Sequence, residues 1–219
     1  MKVSVVIPVY NEQESINETI SHIRGLGECE IIVSDSNGET NKIIEDKEVI
    51  SVNSSKGRAI QMNTGAEIST GDALIFLHAD TKLPKYFLNE IEKTLKVYDV
   101  GAFKFGIDDK KFIFRIIEKI VSIRNRITMI PYGDQAIFCT REVFYKLGGY
   151  ENIPIMEDVN FMQKCKTHNL KVKLSDLPVK TSARRWKKEG LLYTTFRNWT
   201  IISLYHLGVS PSFLIKFYK

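Results

Sequence analysis

Five groups of residues along this 219-residue chain carry side chains suited to chemistry on a charged, oxygen-rich ligand. The first is Pro8-Val9-Tyr10-Asn11-Glu12, with Asp35 following the next apolar run. An acid at that second position either accepts hydrogen bonds from a base or ribose, or caps its own loop as an Asx turn. The second group is Lys56-Gly57-Arg58-Ala59, running on to Met62-Asn63 and Gly65-Ala66. A glycine before a helix leaves backbone N–H groups free, and Arg58 adds a guanidinium fork for phosphate. As plain structure, Gly57 is a turn and Gly65 a packing site. The third is His78-Ala79-Asp80. A carboxylate beside a phosphate-binding loop can tie a divalent ion to a diphosphate, since Mg2+ and Mn2+ commonly take only one or two protein oxygens. His78 either adds a nitrogen ligand, orients the loop or touches the bound molecule. The fourth is Glu157-Asp158, opening a helix. Capping explains acids there, and so does a general base waiting for a hydroxyl. The last is Arg184-Arg185-Trp186, in a stretch (180–188) with five basic residues and no acid. It reads as a solvated basic face or as cations for a diphosphate leaving group.

The elements between these groups predict how they are held. Lys2 to Val9 is an apolar, β-branched run stopped by Pro8 and Asn11, the pattern of a buried strand and a turn. A helix is expected from Glu12 to Arg24, with Ile16, Ile20 and Ile23 at helical spacing. Strands follow at Glu30–Val33 (breaking at Asp35-Ser36-Asn37-Gly38) and Val49–Val52, then a helix over Gly57–Ile68 and a strand over Ala73–Leu77 that ends at His78. Such alternation predicts an α/β fold with a mostly parallel central sheet and helices on both faces. Ligands of such sheets sit outside the carboxyl ends of the strands, where the polar groups above fall. Beyond Pro84 the pattern weakens: a strand at Gly101–Ile107, a basic amphipathic helix at Lys111–Ile127, a strand at Gln135–Cys139, short helices, and a strand around Val179.

Composition narrows the class. With 43% hydrophobic and 26% charged residues the chain is globular, which excludes disordered, collagen-like and low-complexity readings. Thirty-one basic against 26 acidic residues give +5, an excess that suits phosphate-bearing ligands or an anionic surface without requiring nucleic acid. Three cysteines with no CxxC pair exclude a disulfide scaffold or a structural zinc site and fit a reducing cytoplasm. No apolar run reaches membrane-spanning length and no signal-peptide pattern opens the chain, so the expectation is a cytoplasmic protein, free or peripheral on the inner face of the membrane.

Taken in order, SVVIPVYNE, the aspartate after the second strand, KGRAxQMNxGA, LHAD, GGYE, the Glu-Asp pair and RRW resemble the family 2 glycosyltransferases of GT-A type. The resemblance covers roughly residues 2 to 190, and LHADT with PYGDQ (Pro131 to Gln135) marks a small bacterial subgroup. It implies an inverting, metal-dependent transferase of hexosyl type, taking a sugar from a nucleotide-diphosphate donor. Residues 1–100 would form the nucleotide-sugar half and 101–190 the acceptor half. Pro8, Tyr10, Glu12, Asp35 and Arg58 would hold the nucleotide and Asp80 the Mg2+ or Mn2+. Asp158 would be the base, with Glu157 its rival. His78, Asp134, Arg184, Arg185 and Trp186 would lie by the phosphates and acceptor. The sequence departs from the family in its short loop Asp35–Thr40 and in carrying His78 where the first acid of a DxD would stand. It also lacks the C-terminal membrane region of processive members, so polymer synthesis with secretion is not expected. Rival readings are a catalytically silent nucleotide-sugar-binding protein and a sugar nucleotidyltransferase; the latter calls for a glycine-rich basic loop that PVYNEQES does not supply.

Residues 191–219 form an amphipathic helical extension rich in Leu, Ile and aromatics. It and the helix Lys111–Ile127 are expected either to rest on an anionic bilayer, where a lipid-linked acceptor would be found, or to pack on the sheet or on a second subunit as a homodimer.

Overall fold

A computed structural model describes residues 1–218. In chain order the elements are β1 (Val3–Val9), α1 (Ile16–Arg24), β2 (Glu30–Asp35), β3 (Ile50–Asn53), α2 (Arg58–Ile68), β4 (Ala73–Phe76), β5 (Thr81–Lys82), α3 (Phe87–Leu95), β6 (Val100–Lys104), α4 (Phe112–Thr128), β7 (Phe138–Thr140), α5 (Arg141–Lys146), α6 (Glu157–Thr167), β8 (Val172–Pro178), β9 (Lys180–Thr181), α7 (Arg184–Glu189), α8 (Leu191–His206) and α9 (Pro211–Leu214). Seven strands make one sheet in the order β3-β2-β1-β4-β7-β6-β8, in which only β7 runs against its neighbours. β5 and β9 pair separately as a short antiparallel ribbon.

Alternation along β1 shows how the sheet is covered. Val3, Val5, Ile7 and Val9 join Ile16, Ile20 and Ile23 of α1 and Phe87 and Ile91 of α3 in one core. Val6 turns to the opposite face, against Ala59, Met62 and Ala66 of α2, Phe144 of α5, and Phe161 of α6. With both faces covered, the strands are continuously apolar rather than alternating in polarity. The expected helices on both faces are therefore present, and the parallel order extends through β1 to β4.

Several boundaries differ from expectation. α1 begins at Ile16, because the Glu12 carbonyl accepts from Ser15 and Ile16 N–H and the intervening residues form a turn. Ile107 lies outside β6 and makes only an isolated bridge to Thr181. Gln135 belongs to a 3-10 turn (Gly133–Gln135), so β7 starts at Phe138. Val179 separates β8 from β9. α3 has no counterpart in the sequence reading; its nine residues start from Tyr86, held at φ 66°, just after Pro84.

Candidate functional site

The sheet order turns at the β1–β4 pair: β2 and β3 lie to one side, the later strands to the other. A crevice opens outside the carboxyl ends at such a point. β1 delivers Pro8, Val9 and Tyr10 there, and β4 delivers His78, Ala79 and Asp80. The two chains are latched side by side by the Leu77 N–H donating to the Val6 carbonyl at 2.9 Å. Together with Arg58, Asp134, Asp158, Arg184, Arg185 and Trp186 they line one cavity of about 680 Å3.

α2 fixes Arg58. Gly57, at φ 142°, turns the chain into the helix one residue earlier. Gln61 Nε2 donates to the carbonyls of Val9 and Ser34, tying α2 to the ends of β1 and β2. Gly65 lets the helix approach the sheet, since a Cβ there would stand 2.5 Å from Val6 Cγ1. Asn63 clasps the backbone of Tyr150 from both sides, accepting its N–H at 2.9 Å and donating to its carbonyl at 2.8 Å. Gly149 makes room for that clasp. Much of the KGRAxQMNxGA and GGYE motifs is thus scaffold that aims Arg58.

The acids at the start of α6 are separated by geometry. Glu157 is 2% exposed, is not part of the cavity lining, and places Oε1 3.1 Å from Arg58 Nη1, close enough for an ion pair but without a hydrogen bond. Burial holds its carboxyl above the usual range, while Arg58 pulls the other way. Asp158 does face the cavity. Its Oδ2 accepts the Gly133 N–H and its Oδ1 accepts the Val159 N–H, which fixes the carboxylate while leaving lone pairs for a ligand hydroxyl. Met156, a non-glycine residue at φ 68°, turns the chain into α6 just ahead of them. Gly133 lies between two site groups: a Cβ built on it would stand 3.1 Å from Asp158 Oδ2 and 3.2 Å from His78 Nε2.

The basic arm reaches the crevice through the small ribbon. Thr81 pairs with Thr181, and the Ser182 N–H donates to the Asp80 carbonyl at 3.1 Å. This sets the start of α7 beside Asp80. Arg184 Nη2 lies 3.3 Å from Glu12 Oε2, Arg185 hydrogen-bonds the Tyr218 hydroxyl, and Trp186 leaves its indole N–H buried without a partner among the described residues.

The lining mixes both signs, with Arg58, Arg184, Arg185 and Lys188 beside Glu12, Glu14, Asp80, Asp134, Asp158 and Glu189. Burial lowers the His78 imidazole to about 3, aided by Arg58 and Arg185, so the ring is neutral at physiological pH. Burial, then the negative charge of Glu12, raises the Asp80 carboxyl. Asp134 is pushed up to about 6, first by burial and also by Asp158 and Asp80, while Arg124 and Arg58 oppose the rise. Its Oδ1 is buried with no hydrogen-bond partner among the described residues. Among the described residues no three His, Cys, Asp or Glu side chains converge as a closed metal site. Asp80 near Glu12 still fits a hard divalent ion that takes most of its oxygens from a ligand's phosphates.

Asp35 stands apart from the other predicted residues. It is fully buried, outside the cavity lining, and its carboxylate accepts the N–H groups of Asn37, Thr40 and Asn41. Here the Asx-turn alternative describes what the side chain does. The sequence reading also passed over one wall. Thr194, Asn198, Ile201 and Ile202 of α8 line the cavity along with Tyr218. Their spacing, one face of a helix over two turns, was the available signal. The extension, expected to rest on a bilayer or to pack on the sheet or a second subunit, spends the inner face of α8 on the cavity, while Leu192, Phe196 and Trp199 remain exposed.

A family model, Glycosyl transferase family 2, matches residues 4–148, two thirds of the chain. The chain belongs to glycosyl transferase family 2. Its α/β fold is of the GT-A type. Similar in fold is the crystal structure of S. aureus TarS 1-349, at 17% identity and TM-score 0.62 over 84% of this chain and 61% of that one. The same fragment in complex with UDP gives TM-score 0.63 at 17% identity, over 83% of this chain and 60% of that one. This chain thus spans about three fifths of the length of those fragments.

Proposed function

We propose that this glycosyltransferase moves a sugar from a nucleotide-diphosphate donor to an acceptor hydroxyl, with inversion at the anomeric carbon. One observation carries the reading: Asp80 and Asp158 line the same crevice, and so do Arg58, Arg184 and Arg185. Its volume of about 680 Å3 is within the range of small-molecule sites. The UDP bound to the TarS fragment supports the same class of donor here.

Asp158 takes the proton of the acceptor hydroxyl as its oxygen attacks the anomeric carbon. The bond from that carbon to the diphosphate breaks on the opposite face, and the electron pair leaves with the phosphate. Arg58, Arg184 and Arg185 stabilise the growing negative charge, and the neutral His78 donates or accepts a hydrogen bond beside them. Mg2+ or Mn2+, held by Asp80 and the donor's own phosphates, would add positive charge at the leaving group. Tyr10, with the Lys56 ammonium 4.1 Å above its ring, forms the outer edge of the nucleotide end.

Two measurements test this. Thermal shift against a panel of nucleoside diphosphates, with and without Mn2+, should stabilise the fold, and a matching nucleotide sugar should be turned over. Asp158→Asn should lower turnover by about 10^2- to 10^4-fold, the usual contribution of a positioned base, while the nucleotide shift persists. Parent-level turnover in Asp158→Asn defeats its assignment as base. Nucleotide binding with neither transfer nor hydrolysis would make the chain a silent binding module.

A further inference from the structure

α4 is held to the body by a narrow inner row. Phe114, Ile117 and Val121 pack with Phe105, Ile107, Trp186 and Leu191, and Phe114 meets Trp186 edge-on at 6.0 Å. The opposite side is apolar and open. Phe112, Ile113, Ile116, Ile120, Ile123 and Ile127 are all exposed, Phe112 and Ile127 each at 77%. At 3.6 residues per turn these six fall within about 100° of the circumference, along a stripe roughly 22 Å long. Such an uninterrupted stripe is not expected of a face turned to water.

Charge decides what covers it. Lys110, Lys111, Arg115, Lys119, Arg124 and Arg126 lie along the segment, against one acid. That acid, Glu118, has only 15% of its side chain exposed and is engaged by Arg115 and the Ile107 N–H. Lys119 and Arg126 border the stripe on one edge, are exposed, and form no ion pair among the described residues. A second copy would bring the same basic edges together with no acid to meet them, which disfavours self-association. A stripe of Ile and Phe bordered by Lys and Arg complements an anionic lipid surface, with the apolar side chains in the acyl boundary and the cations among the headgroups.

We infer that the outer face of α4 docks this enzyme on anionic lipid bilayers. The contact is independent of catalysis, so it stands or falls apart from the transferase reading.

The test is co-sedimentation of the full chain with phosphatidylcholine vesicles, plain or doped with phosphatidylglycerol. Expected is binding to the doped vesicles that weakens with salt, and little binding to the plain ones. Lys119→Glu with Arg126→Glu should weaken binding at least about 25-fold, near fivefold for each cation lost from the surface. Ile116→Glu with Ile123→Glu should abolish it while circular dichroism and the melting temperature stay those of the parent. Because the charge pair is exposed and outside any packed core, its result holds even if the isoleucine pair perturbs folding. Equal binding to both vesicle types, no binding to either, or parent-like binding by the charge variant overturns the inference. So does a dimer by light scattering that the Ile116/Ile123 variant dissociates, in the absence of vesicle binding.

Discussion

Arg58→Met tests the electrostatic core of the site without any substrate in hand. Methionine keeps most of the stem volume and removes the guanidinium, leaving the 2%-exposed Glu157 carboxylate with no cation within reach. Stripping one partner from a fully buried pair costs about 3–5 kcal/mol. The Arg58 side chain is 38% exposed at the cavity floor, so water enters where the guanidinium stood and the expected loss falls to about 2–3 kcal/mol. At about 2–4 °C per kcal/mol for a chain of this size, the melting temperature should drop by about 4–12 °C at neutral pH. The sign with pH is specific. Burial already holds the Glu157 carboxyl above its unfolded value with Arg58 opposing, so removing Arg58 lifts it further. A raised carboxyl destabilises through its ionised form. The deficit should therefore be small below about pH 4, where the group is protonated both folded and unfolded, and should grow as pH rises. Adding Glu157→Gln to Arg58→Met removes the orphan charge and should restore most of the loss at neutral pH. Melts of parent, single and double variants between acid and neutral pH settle it. A deficit that does not change with pH, or a double variant no better than Arg58→Met, refutes the argument.

Three further outcomes follow from contacts at the site. Gly133→Ala puts a methyl at 3.1 Å from Asp158 Oδ2 and 3.2 Å from His78 Nε2, so the base must shift by a few tenths of an ångström; turnover should fall about 10- to 100-fold with the melting temperature and nucleotide shift nearly unchanged. Asp134, raised from 3.8 to about 6, penalises the folded state increasingly as pH climbs through that interval; at about 1.36 kcal/mol per pH unit Asp134→Asn should gain up to about 3 kcal/mol on the parent near pH 8 and nothing near pH 3, read from paired melts. Gly149→Ala combines φ 66° with a Cβ 2.8 Å from Asn63 Oδ1, so it should break the clasp on Tyr150 and cost about 2–4 kcal/mol in a denaturant titration.

The first eighty residues were legible because their strands are short apolar runs ended by polar loop residues. Val3–Val9, Glu30–Asp35 and Ala73–Phe76 needed nothing beyond period and punctuation. That the polar residues at their carboxyl ends share one rim was legible for the same reason, since strand ends in such sheets converge there. What was hidden depends on partners distant in the chain. The reversal of β7 between β4 and β6 leaves no mark on its own three residues. Whether Asp35 faces a ligand or its own loop turns on three backbone N–H groups that no spacing rule places. Glu157 and Asp158 are equivalent as sequence, yet one points into the core toward Arg58 and the other into the crevice.

That last division explains why the site needs two adjacent acids. In α6, consecutive side chains diverge by about 100°, so only one of the pair faces the crevice. The other is turned inward, where an unpaired acid would be costly, and Arg58 is positioned to meet it. Arg58 is thereby held where it lines the crevice. Asp158 is anchored by a different route, through the Gly133 and Val159 N–H groups. Arg58 and Asp158 are thus held by independent contacts from one helix start. A change that loosens one, such as Gly133→Ala, leaves the other in place, which is why turnover and nucleotide binding should separate in these variants.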